Sequence, residues 1–343
     1  MLSRGRKAIA LLSGGLDSLL AIAVVRGQGI EVEALHFHTV FSVVERRRRL
    51  EQGCGAYGDA IKASYARLGV SVRIIDVSQE HLEVVLHPRY GYGANVNPCL
   101  DCRLFMLRKA RQYMAQVGAD FVITGEVLGQ RPMSQHRNAL RLLERESGLE
   151  GLLLRPLSAK LLPPSIPERE GWVDREKLYA FQGRSRKPQM RLAEELGLRG
   201  YPQPAGGCLL TDRNYARRFR DLIAHTDADA LSPEDVVLLT IGRHFRVSEQ
   251  AKCIVGRNEA ENGYLDEVRG PRGWVTARDH LGPVTLVEGI PSDEDKRIIA
   301  RITARYSDGK EEPLVAVIYE VPGGREVLWV EPMPLREVHM FMI

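Results

Sequence analysis

The sequence predicts an α/β domain with a doubly wound parallel sheet, followed by a smaller α+β domain. In the N-terminal part, apolar segments of strand length alternate with segments of helical periodicity, which indicates a parallel sheet with helices on both faces. The chain has 343 residues, of which 44% are hydrophobic and 27% charged, so it is long enough for two cores and has a globular composition. A polar connector near residues 226–232 separates the two patterns, and we expect domains at 1–228 and 229–343.

The elements of the first domain follow from the apolar spacing. Strands are predicted at 7–12, 31–37, 71–77 and 121–124, and helices at 18–26, 60–68, 104–117, 174–181, 190–196 and 214–225. In open parallel sheets, ligands bind beyond the carboxyl ends of the strands. The turns that begin at Ser13 and Thr124 both follow such strands, so we expect them to share one site.

The second domain is predicted to contain short strands and little helix. Alternating segments at 273–277, 284–288, 314–320 and 327–330 favour the strands. The net charge of +4 permits an anionic partner without requiring one. Arginines at 46–49 and a basic cluster at 184–187 either contact phosphate or form a solvated surface.

The cysteines and the N-terminus indicate a cytoplasmic protein. The five cysteines are Cys54, Cys99, Cys102, Cys208 and Cys253. An odd number with one tight pair argues against a disulfide framework and favours thiol chemistry or metal binding, and Cys54 and Cys253 are interpreted as structural. The first apolar run, 8–12, is too short for a secretory or membrane segment, so no membrane partner is expected.

The segment Ser13-Gly14-Gly15-Leu16-Asp17-Ser18 lies between a buried strand and a helix. Free backbone N–H groups and the helix dipole make such a position a site for anions. The glycines let the backbone come close to a ligand, and Asp17 is a candidate Mg²⁺ ligand beside the phosphates. Neither a Walker A pattern nor a dinucleotide fingerprint is present, which disfavours γ-phosphoryl transfer and dinucleotide binding.

This motif resembles the signature of the PP-loop ATP pyrophosphatases, which have the adenine nucleotide α-hydrolase-like fold. The resemblance implies that Ser13, Gly14, Gly15, Asp17 and Ser18 bind ATP with Mg²⁺. It further implies cleavage of ATP between its α and β phosphates, which leaves AMP on a substrate oxygen as a leaving group. Asp17 is accordingly a catalytic candidate as well as a cofactor-binding one.

A second segment is similar to the tRNA 4-thiouridine synthetases. Thr124-Gly125-Glu126-Val127-Leu128-Gly129-Gln130 is followed by Ser134-Gln135, as in that family, where the segment lies beside the nucleotide. The resemblance implies that Thr124, Gly125 and Gln130 belong to the ATP site, and we place His36, on the second strand, in the same set. The alternative is an ordinary turn between a strand and a helix.

The segment Asn97-Pro98-Cys99-Leu100-Asp101-Cys102 opens a predicted helix, and helix N-termini stabilise thiolates. The pattern Asn-Pro-x-x-x-Cys resembles the tRNA 2-thiouridylases, in which Cys208 corresponds to a second functional cysteine. Cys102 and Cys208 are therefore the predicted catalytic pair. Asp101 is a candidate proton acceptor beside them.

Cys99 adds a third thiol, and a CxxC pair with a distant cysteine resembles the iron–sulfur-dependent tRNA thiolases. This resemblance implies a [4Fe–4S] cluster on Cys99, Cys102 and Cys208 with one iron open for sulfide. Two alternatives stay open. Cys102 takes a persulfide that Cys208 resolves, or zinc binds the thiols with His87 or His136 as a further ligand.

The C-terminal part resembles the RNA-binding module of NFACT proteins. The matching segments are Ile241-Gly242-Arg243-His244-Phe245-Arg246 and Ile254-Val255-Gly256-Arg257-Asn258-Glu259-Ala260-Glu261-Asn262. Arginines and an aromatic residue at this spacing suit phosphate contact with stacking on an unpaired base. The resemblance implies tRNA as a partner, and the alternative is a turn whose side chains are solvated.

These resemblances predict an ATP-dependent tRNA sulfurtransferase that adenylates a uridine oxygen and replaces it with sulfur from sulfide or a persulfide carrier. A sulfur insertase or amide-forming ligase acting on a small molecule is one alternative, and a non-catalytic RNA-binding factor is another. The 4-thiouridine synthetases usually carry an RNA-binding region before the PP-loop, whereas Ser13 lies near the start here, and the 2-thiouridylases carry a different tail. The modified nucleotide, the sulfur donor and a homodimeric state are therefore left open.

Overall fold

The computed structural model describes residues 5–43, 69–198, 207–321 and 323–343. These residues form two compact units that divide after Thr211. The helix predicted at 60–68, the arginines at 46–49 and Cys54 lie outside the described residues.

The first unit is built on a parallel sheet, as predicted. Its strands are β1 (Lys7–Leu11), β2 (Glu31–His38), β3 (Ser71–Asp76), β4 (Phe121–Ile123) and β5 (Leu153–Leu154). Its α-helices are α1 (Leu16–Arg26), α2 (Ser78–Leu86), α3 (Cys99–Gln116), α4 (Arg137–Ser147), α5 (Ile166–Arg169) and α6 (Lys187–Glu195). The strand order is β3-β2-β1-β4-β5 with parallel pairing, which confirms the predicted fold class.

Strands β2 and β3 lie on one side of β1, and β4 and β5 lie on the other. This change of side between β1 and β4 places two turns next to each other. Ala10 of β1 pairs with Ala34 of β2 on one side and with Ile123 of β4 on the other. The turns that follow β1 and β4 therefore emerge next to each other at the carboxyl edge. Such a switch point is where open α/β sheets bind their ligands.

The first strand is apolar from Ala8 to Leu11 because this stretch is buried on both faces. Ala8 and Ala10 belong to the core that contains Leu20 of α1, while Ile9 packs in a second core with Leu107 of α3. Fully burying an aliphatic side chain of the size of Ile9 stabilises the folded state by about 1.5–3 kcal/mol. The two cores hold the helices on opposite faces of the sheet.

One predicted helix of this unit is wrong. Residues 174–181 contain only a single 3-10 turn, Arg175–Lys177. The chain beyond it is extended because the backbone N–H of Tyr179 donates to Pro156 O at 2.9 Å and that of Phe181 to Leu157 O at 2.7 Å. Helices α2 and α4 were not predicted.

The second unit contains an antiparallel sheet with the order β11-β10-β8-β9-β7-β6. Its strands are β6 (Arg243–Ser248), β7 (Ala251–Val255), β8 (Gly273–Ala277), β9 (Thr285–Gly289), β10 (Val315–Val321) and β11 (Gly324–Val330). Its α-helices are α7 (Arg213–His225), α8 (Pro233–Leu238), α9 (Glu259–Glu267), α10 (Asp293–Arg305) and α11 (Leu335–Phe341). An α+β unit is confirmed, but the expectation of little helix is wrong.

Helix α10 carries a start signal that the prediction of strands in this region overlooked. Ser292 and Asp295 form a capping box at its N-terminus, a pattern that marks a helix start. Ile299 and Ile302 of α10 are fully buried against Val317 of the sheet. Apolar residues at helical spacing after a cap would have predicted the helix.

The division between the units lies before the expected connector at 226–232. Helix α7 belongs to the second unit, where the Tyr215 hydroxyl donates to Val236 O at 3.0 Å and Arg246 pairs with Asp221 at 2.7 Å. These contacts tie the helix to α8 and β6. Among the described residues no helix combines the length and the hydropathy that crossing a membrane requires.

Candidate functional site

The loop from Ser13 to Ser18 joins β1 to α1 through hydrogen bonds among its own groups. The Ser18 hydroxyl donates to Gly15 O at 2.8 Å, and the backbone N–H of Ser13 donates to Ser18 Oγ at 3.4 Å. Gly14 has a φ of 78°, in the left-handed region that favours glycine. Because Gly15 is the N-cap and provides no side-chain cap, the first N–H groups of α1 suit an anion.

Only one of the two carboxylate oxygens of Asp17 has a hydrogen-bond partner among the described residues. Its Oδ2 accepts a hydrogen bond from Gln130 Nε2 at 2.7 Å and lies 3.6 Å from Arg186 Nη1. Its Oδ1 is buried and has no hydrogen-bond partner among the described residues. A hard oxygen atom in this state fits a divalent cation, so Asp17 is suited to bind Mg²⁺.

The turn after β4 packs directly on the loop after β1. A Cβ atom at Gly125 would lie 2.4 Å from the Asp17 carbonyl carbon and 2.5 Å from the Ser18 nitrogen. Only glycine permits this approach of two backbones. The structure thus brings the two turns together, and with them Asp17, Ser18 and Gly125.

Gly125→Ala is expected to separate the two turns. The added methyl group overlaps backbone atoms that cannot move independently, so we expect a loss of about 1–3 kcal/mol in the free energy of unfolding and weaker Mg·ATP binding. Thermal unfolding and calorimetric titration with ATP would measure both. Gly5→Ala is the control, since no atom lies within 4 Å of its added Cβ, and equal behaviour of the two variants would contradict the prediction.

A glutamine pair extends the network behind Asp17. Gln130 Oε1 accepts a hydrogen bond from Gln189 Nε2 at 2.8 Å, and Gln189 is fully buried on α6. Sequence reasoning selected Gln130 but missed Gln189, because the two lie 59 residues apart and no local pattern marks the contact. Arg186, part of the basic cluster noted in the sequence, reaches Asp17 from the same segment.

His36 and Thr124 are both buried at the edge of the sheet. His36 Nδ1 lies 2.9 Å from Leu12 O, immediately before the phosphate loop, so the imidazole supports the backbone there. The Thr124 hydroxyl donates to Glu126 Oε2 at 3.1 Å. Direct contact of either side chain with a nucleotide stays a prediction.

Glu126 is buried between two arginines. Its carboxylate accepts hydrogen bonds from Arg103 Nε at 2.8 Å and from Arg155 Nε at 2.9 Å. Burial by itself raises the pKa of Glu126, but the two guanidinium groups outweigh it and lower the pKa to about 2. Arg103 follows Cys102 in the sequence, so this ion pair joins the turn after β4 to the start of α3.

Glu126→Gln is expected to destabilise the protein in a pH-dependent way. Removing one partner of a buried ion pair costs about 3–5 kcal/mol. The folded-state pKa of Glu126, about 2, is below its ordinary value of 4.5, so its contribution is present above pH 4.5 and disappears as the pH falls toward 2. Urea unfolding at several pH values should show that the difference in the free energy of unfolding between variant and wild type decreases as the pH falls from 4.5 toward 2.

Glu144→Gln is the matched control for this experiment. Glu144 also pairs with Arg155, at 2.9 Å, but its side chain is 24% exposed, so solvent screens the pair and the loss should be smaller. If the difference in the free energy of unfolding between Glu126→Gln and wild type stays constant across the acid range, the lowered pKa of Glu126 is contradicted.

Three thiols come together at the start of α3. Cys99 and Cys102 lie in its first turn, and Cys208 lies in a segment attached to the loop before the helix. Val96 N–H donates to Leu210 O at 3.3 Å, and the Asn95 side chain donates to Thr211 O at 2.7 Å. Negative charge on Cys208 or Cys99 would raise the pKa of Cys102, which indicates that the three groups are neighbours.

The thiols are protonated at neutral pH, contrary to the expected stabilisation of a thiolate. Burial raises the pKa of Cys102 to about 12, with Cys208 and Cys99 adding to the effect, and burial raises the pKa of Cys208 to about 11. The pKa of Cys99 is also raised by burial. Desolvation outweighs the nearby arginines because a thiolate loses its hydration in this environment.

His81 is a candidate functional residue that sequence reasoning missed. Its Nε2 lies 3.1 Å from Cys102 Sγ, and its ring is 2% exposed between Phe41 and Phe105. No motif marks His81, which lies on α2, outside the segment that carries the cysteines. The two histidines considered for zinc have other positions: His136 caps α4 through Nδ1, which accepts from Ala139 N–H at 3.2 Å, and His87 ends α2.

Asp101 has a structural role instead of facing the thiols as a base. Its carboxylate accepts hydrogen bonds from the backbone N–H groups of Arg89 at 3.0 Å and Tyr90 at 2.9 Å. Cys253 is fully buried in β7. Neither residue therefore extends the thiol site.

The described residues alone bear on metal ligation by the thiols. Within residues 5–43, 69–198, 207–321 and 323–343, no three His, Cys, Asp or Glu side chains are spaced to hold one metal ion. Iron–sulfur or zinc ligation uses thiolates, so metal binding here would displace the thiol protons. Ligation of a cluster by Cys99, Cys102 and Cys208 stays a prediction.

Sequence comparison finds relatives over part of the chain. The tRNA-specific 2-thiouridylase MnmA of Petrotoga mobilis is 30% identical over 131 residues, covering 36% of this chain and 36% of that protein. A probable tRNA sulfurtransferase of Staphylococcus aureus is 29% identical over 136 residues, covering 37% of this chain and 28% of that protein. The chain thus spans about a third of the length of the curated relatives it matches.

Two solved structures also show similarity. One is a 4-thiouridine synthetase–RNA complex with bound ATP, at 22% identity and a TM-score of 0.34, covering 56% of this chain and 52% of that one. The other is the C-terminal part of the fibronectin/fibrinogen-binding protein from Streptococcus suis, at 14% identity and a TM-score of 0.27, covering 77% and 96%.

Family models match two separate parts of the chain. Residues 3–160 match the family described as thiamine biosynthesis protein (ThiI). Residues 242–342 match the NFACT protein RNA binding domain. One part of the chain is therefore similar to the ThiI family, and a separate part is similar to the NFACT RNA-binding domain.

Proposed function

We propose that the protein is an ATP-dependent tRNA sulfurtransferase that adenylates a uridine oxygen and then replaces this oxygen with sulfur. The observation that carries the proposal is the link through Arg103. This residue neighbours Cys102 and binds Glu126, whose turn packs on the phosphate loop through Gly125. A nucleotide site and a thiol site are thereby coupled within one unit.

The first step uses the phosphate loop. The uridine oxygen attacks the α-phosphorus of ATP, and pyrophosphate leaves. Backbone N–H groups at the start of α1 and the hydroxyls of Ser13 and Ser18 would hold the phosphates, and Asp17 Oδ1, which lacks a hydrogen-bond partner in the described part of the chain, would bind Mg²⁺. Mg²⁺ neutralises phosphate charge, and in-line positioning supplies much of the remaining acceleration.

The second step uses the thiols. A persulfide on Cys102 attacks the activated carbon, and AMP leaves with the former uridine oxygen. Cys208 then attacks Cys102 Sγ, which releases the thiolated base and leaves a Cys102–Cys208 disulfide. An external thiol reductant returns both cysteines to the thiol state, and a persulfide donor then transfers its outer sulfur to Cys102. Alternatively, sulfide attacks Cys102 Sγ in the disulfide, which forms the Cys102 persulfide and releases the Cys208 thiol.

His81 and Cys99 complete this site. His81, with Nε2 3.1 Å from Cys102 Sγ, would orient the sulfur for attack. The resemblance to iron–sulfur-dependent tRNA thiolases favours a [4Fe–4S] cluster held by Cys99, Cys102 and Cys208 as the other candidate for the sulfur carrier. The contact between His81 and Cys102 supports the thiol route.

The proposal is tested by incubating the protein with tRNA, Mg·ATP, a persulfide donor and a thiol reductant, and by analysing the nucleosides by mass spectrometry. A thiouridine together with stoichiometric AMP and pyrophosphate is the expected result. Pyrophosphate release that does not depend on tRNA would favour a small-molecule substrate, and no pyrophosphate release would favour a non-catalytic RNA-binding factor. Either result would overturn the proposal.

The sulfur carrier is tested by anaerobic purification with iron and sulfide analysis. About four irons per chain, lost on replacing any of the three cysteines, would establish the cluster. A colourless, iron-free protein that still thiolates tRNA would establish the persulfide route.

A further inference from the structure

A cavity of about 530 Å³ lies within the second unit. Its wall includes Arg243 at the start of β6, the loop Gly256–Asn258 after β7, and Asn262 on α9. Trp274 of β8 and Tyr306 after α10 also line it. The volume is within the range of pockets that hold a small molecule, about 300–1,000 Å³.

One wall of the cavity consists of the planar guanidinium group of Arg243 and the ring of Tyr306, which are in cation–π contact. The Arg243 guanidinium carbon lies 4.6 Å from the centroid of the Tyr306 ring. Arg243 donates to Gly256 O at 3.5 Å and forms no ion pair with a carboxylate of the described residues. Guanidinium planes and aromatic rings are the groups on which unpaired bases stack.

The cavity also contains a side-chain amide whose NH₂ group has no hydrogen-bond partner among the described residues. Asn262 Oδ1 accepts from Val284 N–H at 3.1 Å, which leaves the NH₂ group of this side chain available. A ligand with acceptor atoms on its edge would pair with this amide group.

Glycine at position 256 keeps this wall in place. A Cβ atom there would lie 2.0 Å from Asn262 Oδ1, so the loop and α9 approach as closely as the backbone allows. Arg257, in the same loop, is held by Glu261 with Nε–Oε2 at 2.9 Å. The loop is therefore fixed before any ligand arrives.

The charges around the cavity favour a neutral ligand group. Arg243 and Arg257 are opposed by Glu259 and Asp266 in the lining, and Arg257 is already paired. A site without excess positive charge does not recognise phosphate primarily. A planar, uncharged ligand group with donors and acceptors on its edge fits this wall. The lining carboxylates can accept hydrogen bonds from amino groups of the ligand, and the NH₂ group of Asn262 can donate to its ring acceptors.

We propose that this cavity binds an unpaired nucleobase of RNA, stacked on the Arg243–Tyr306 pair and contacted at its edge by Asn262. The inference rests on the proposed RNA-binding role of residues 242–342 and is independent of the sulfur chemistry. A base inside a duplex is stacked and paired and cannot enter such a cavity. The site therefore selects single-stranded loops or ends.

The test compares the binding of a fluorescent single-stranded RNA and the same sequence as a duplex to the full-length chain. Arg243→Met and Arg243→Lys should each weaken binding of the single strand by about tenfold and change duplex binding little, because lysine keeps the charge but not the plane. Arg278→Met is the matched control. Arg278 lies 5.3 Å from the Trp329 ring centroid, outside the cavity, and its loss should not affect the preference for single strands.

A competition experiment identifies the group that is bound. Nucleoside monophosphates should displace the single strand, whereas ribose 5-phosphate should not. Wild-type affinity of Arg243→Lys, or displacement by ribose 5-phosphate, would show phosphate recognition and overturn the proposal. If the wild-type chain binds no RNA at all, the proposed tRNA partner is wrong. If the wild type binds RNA and the variants bind it equally well, only the proposal about the cavity is wrong.

Discussion

Cys102→Ser is expected to abolish sulfur transfer and to leave the ATP step intact. Serine fills nearly the same volume and can keep the contact with His81, which lies 3.1 Å from the sulfur, so the fold should be retained. Serine cannot carry a persulfide, and the yield of thiouridine should fall by roughly a thousandfold or more. Pyrophosphate release in the presence of tRNA should continue, because the phosphate loop is unchanged.

Nucleoside mass spectrometry and a pyrophosphate assay on the same samples measure the two steps separately. Cys208→Ser should show the same pattern. Cys253→Ala is the control, because Cys253 is fully buried in β7 of the second unit and its loss should affect stability without affecting thiolation. Retained thiolation in Cys102→Ser would exclude this residue as the sulfur carrier.

Asp17→Asn is expected to block the earlier step. The substitution keeps the shape of the side chain but removes the negative charge of the oxygen that lacks a hydrogen-bond partner in the described chain. Binding of Mg²⁺ beside the phosphates should weaken, and the rate of pyrophosphate release should fall by about 10²–10³-fold. The binding of tRNA should stay unchanged.

Asp120→Asn provides the matched comparison. Asp120 also accepts a hydrogen bond, from the backbone N–H of Lys7 at 2.8 Å, but it precedes β4 and so lies at the opposite edge of the sheet. We expect near wild-type pyrophosphate release from this variant. A rate for Asp17→Asn equal to that of Asp120→Asn, measured over a range of Mg²⁺ concentrations, would remove Asp17 from the proposed mechanism.

The parallel sheet and the phosphate loop were predictable because both are local in sequence. A continuous apolar run such as residues 8–11 indicates a strand buried on two faces, and the glycines that follow it need no distant partner to form the loop. The second unit was predicted less well. Its strands follow from alternation, but α10 was missed although Ser292 and Asp295 mark its start.

The sequence by itself determined which residues could carry chemistry: the phosphate loop, the turn at Thr124 and three cysteines. Only the tertiary structure decided how these residues act together. The order β2-β1-β4 places Gly125 on Asp17, and burial raises the pKa of Cys102 to about 12 where the helix start alone suggested a thiolate. Gln189 and His81 became visible only through contacts between distant segments, because packing, and with it desolvation, depends on neighbours that the local sequence does not specify.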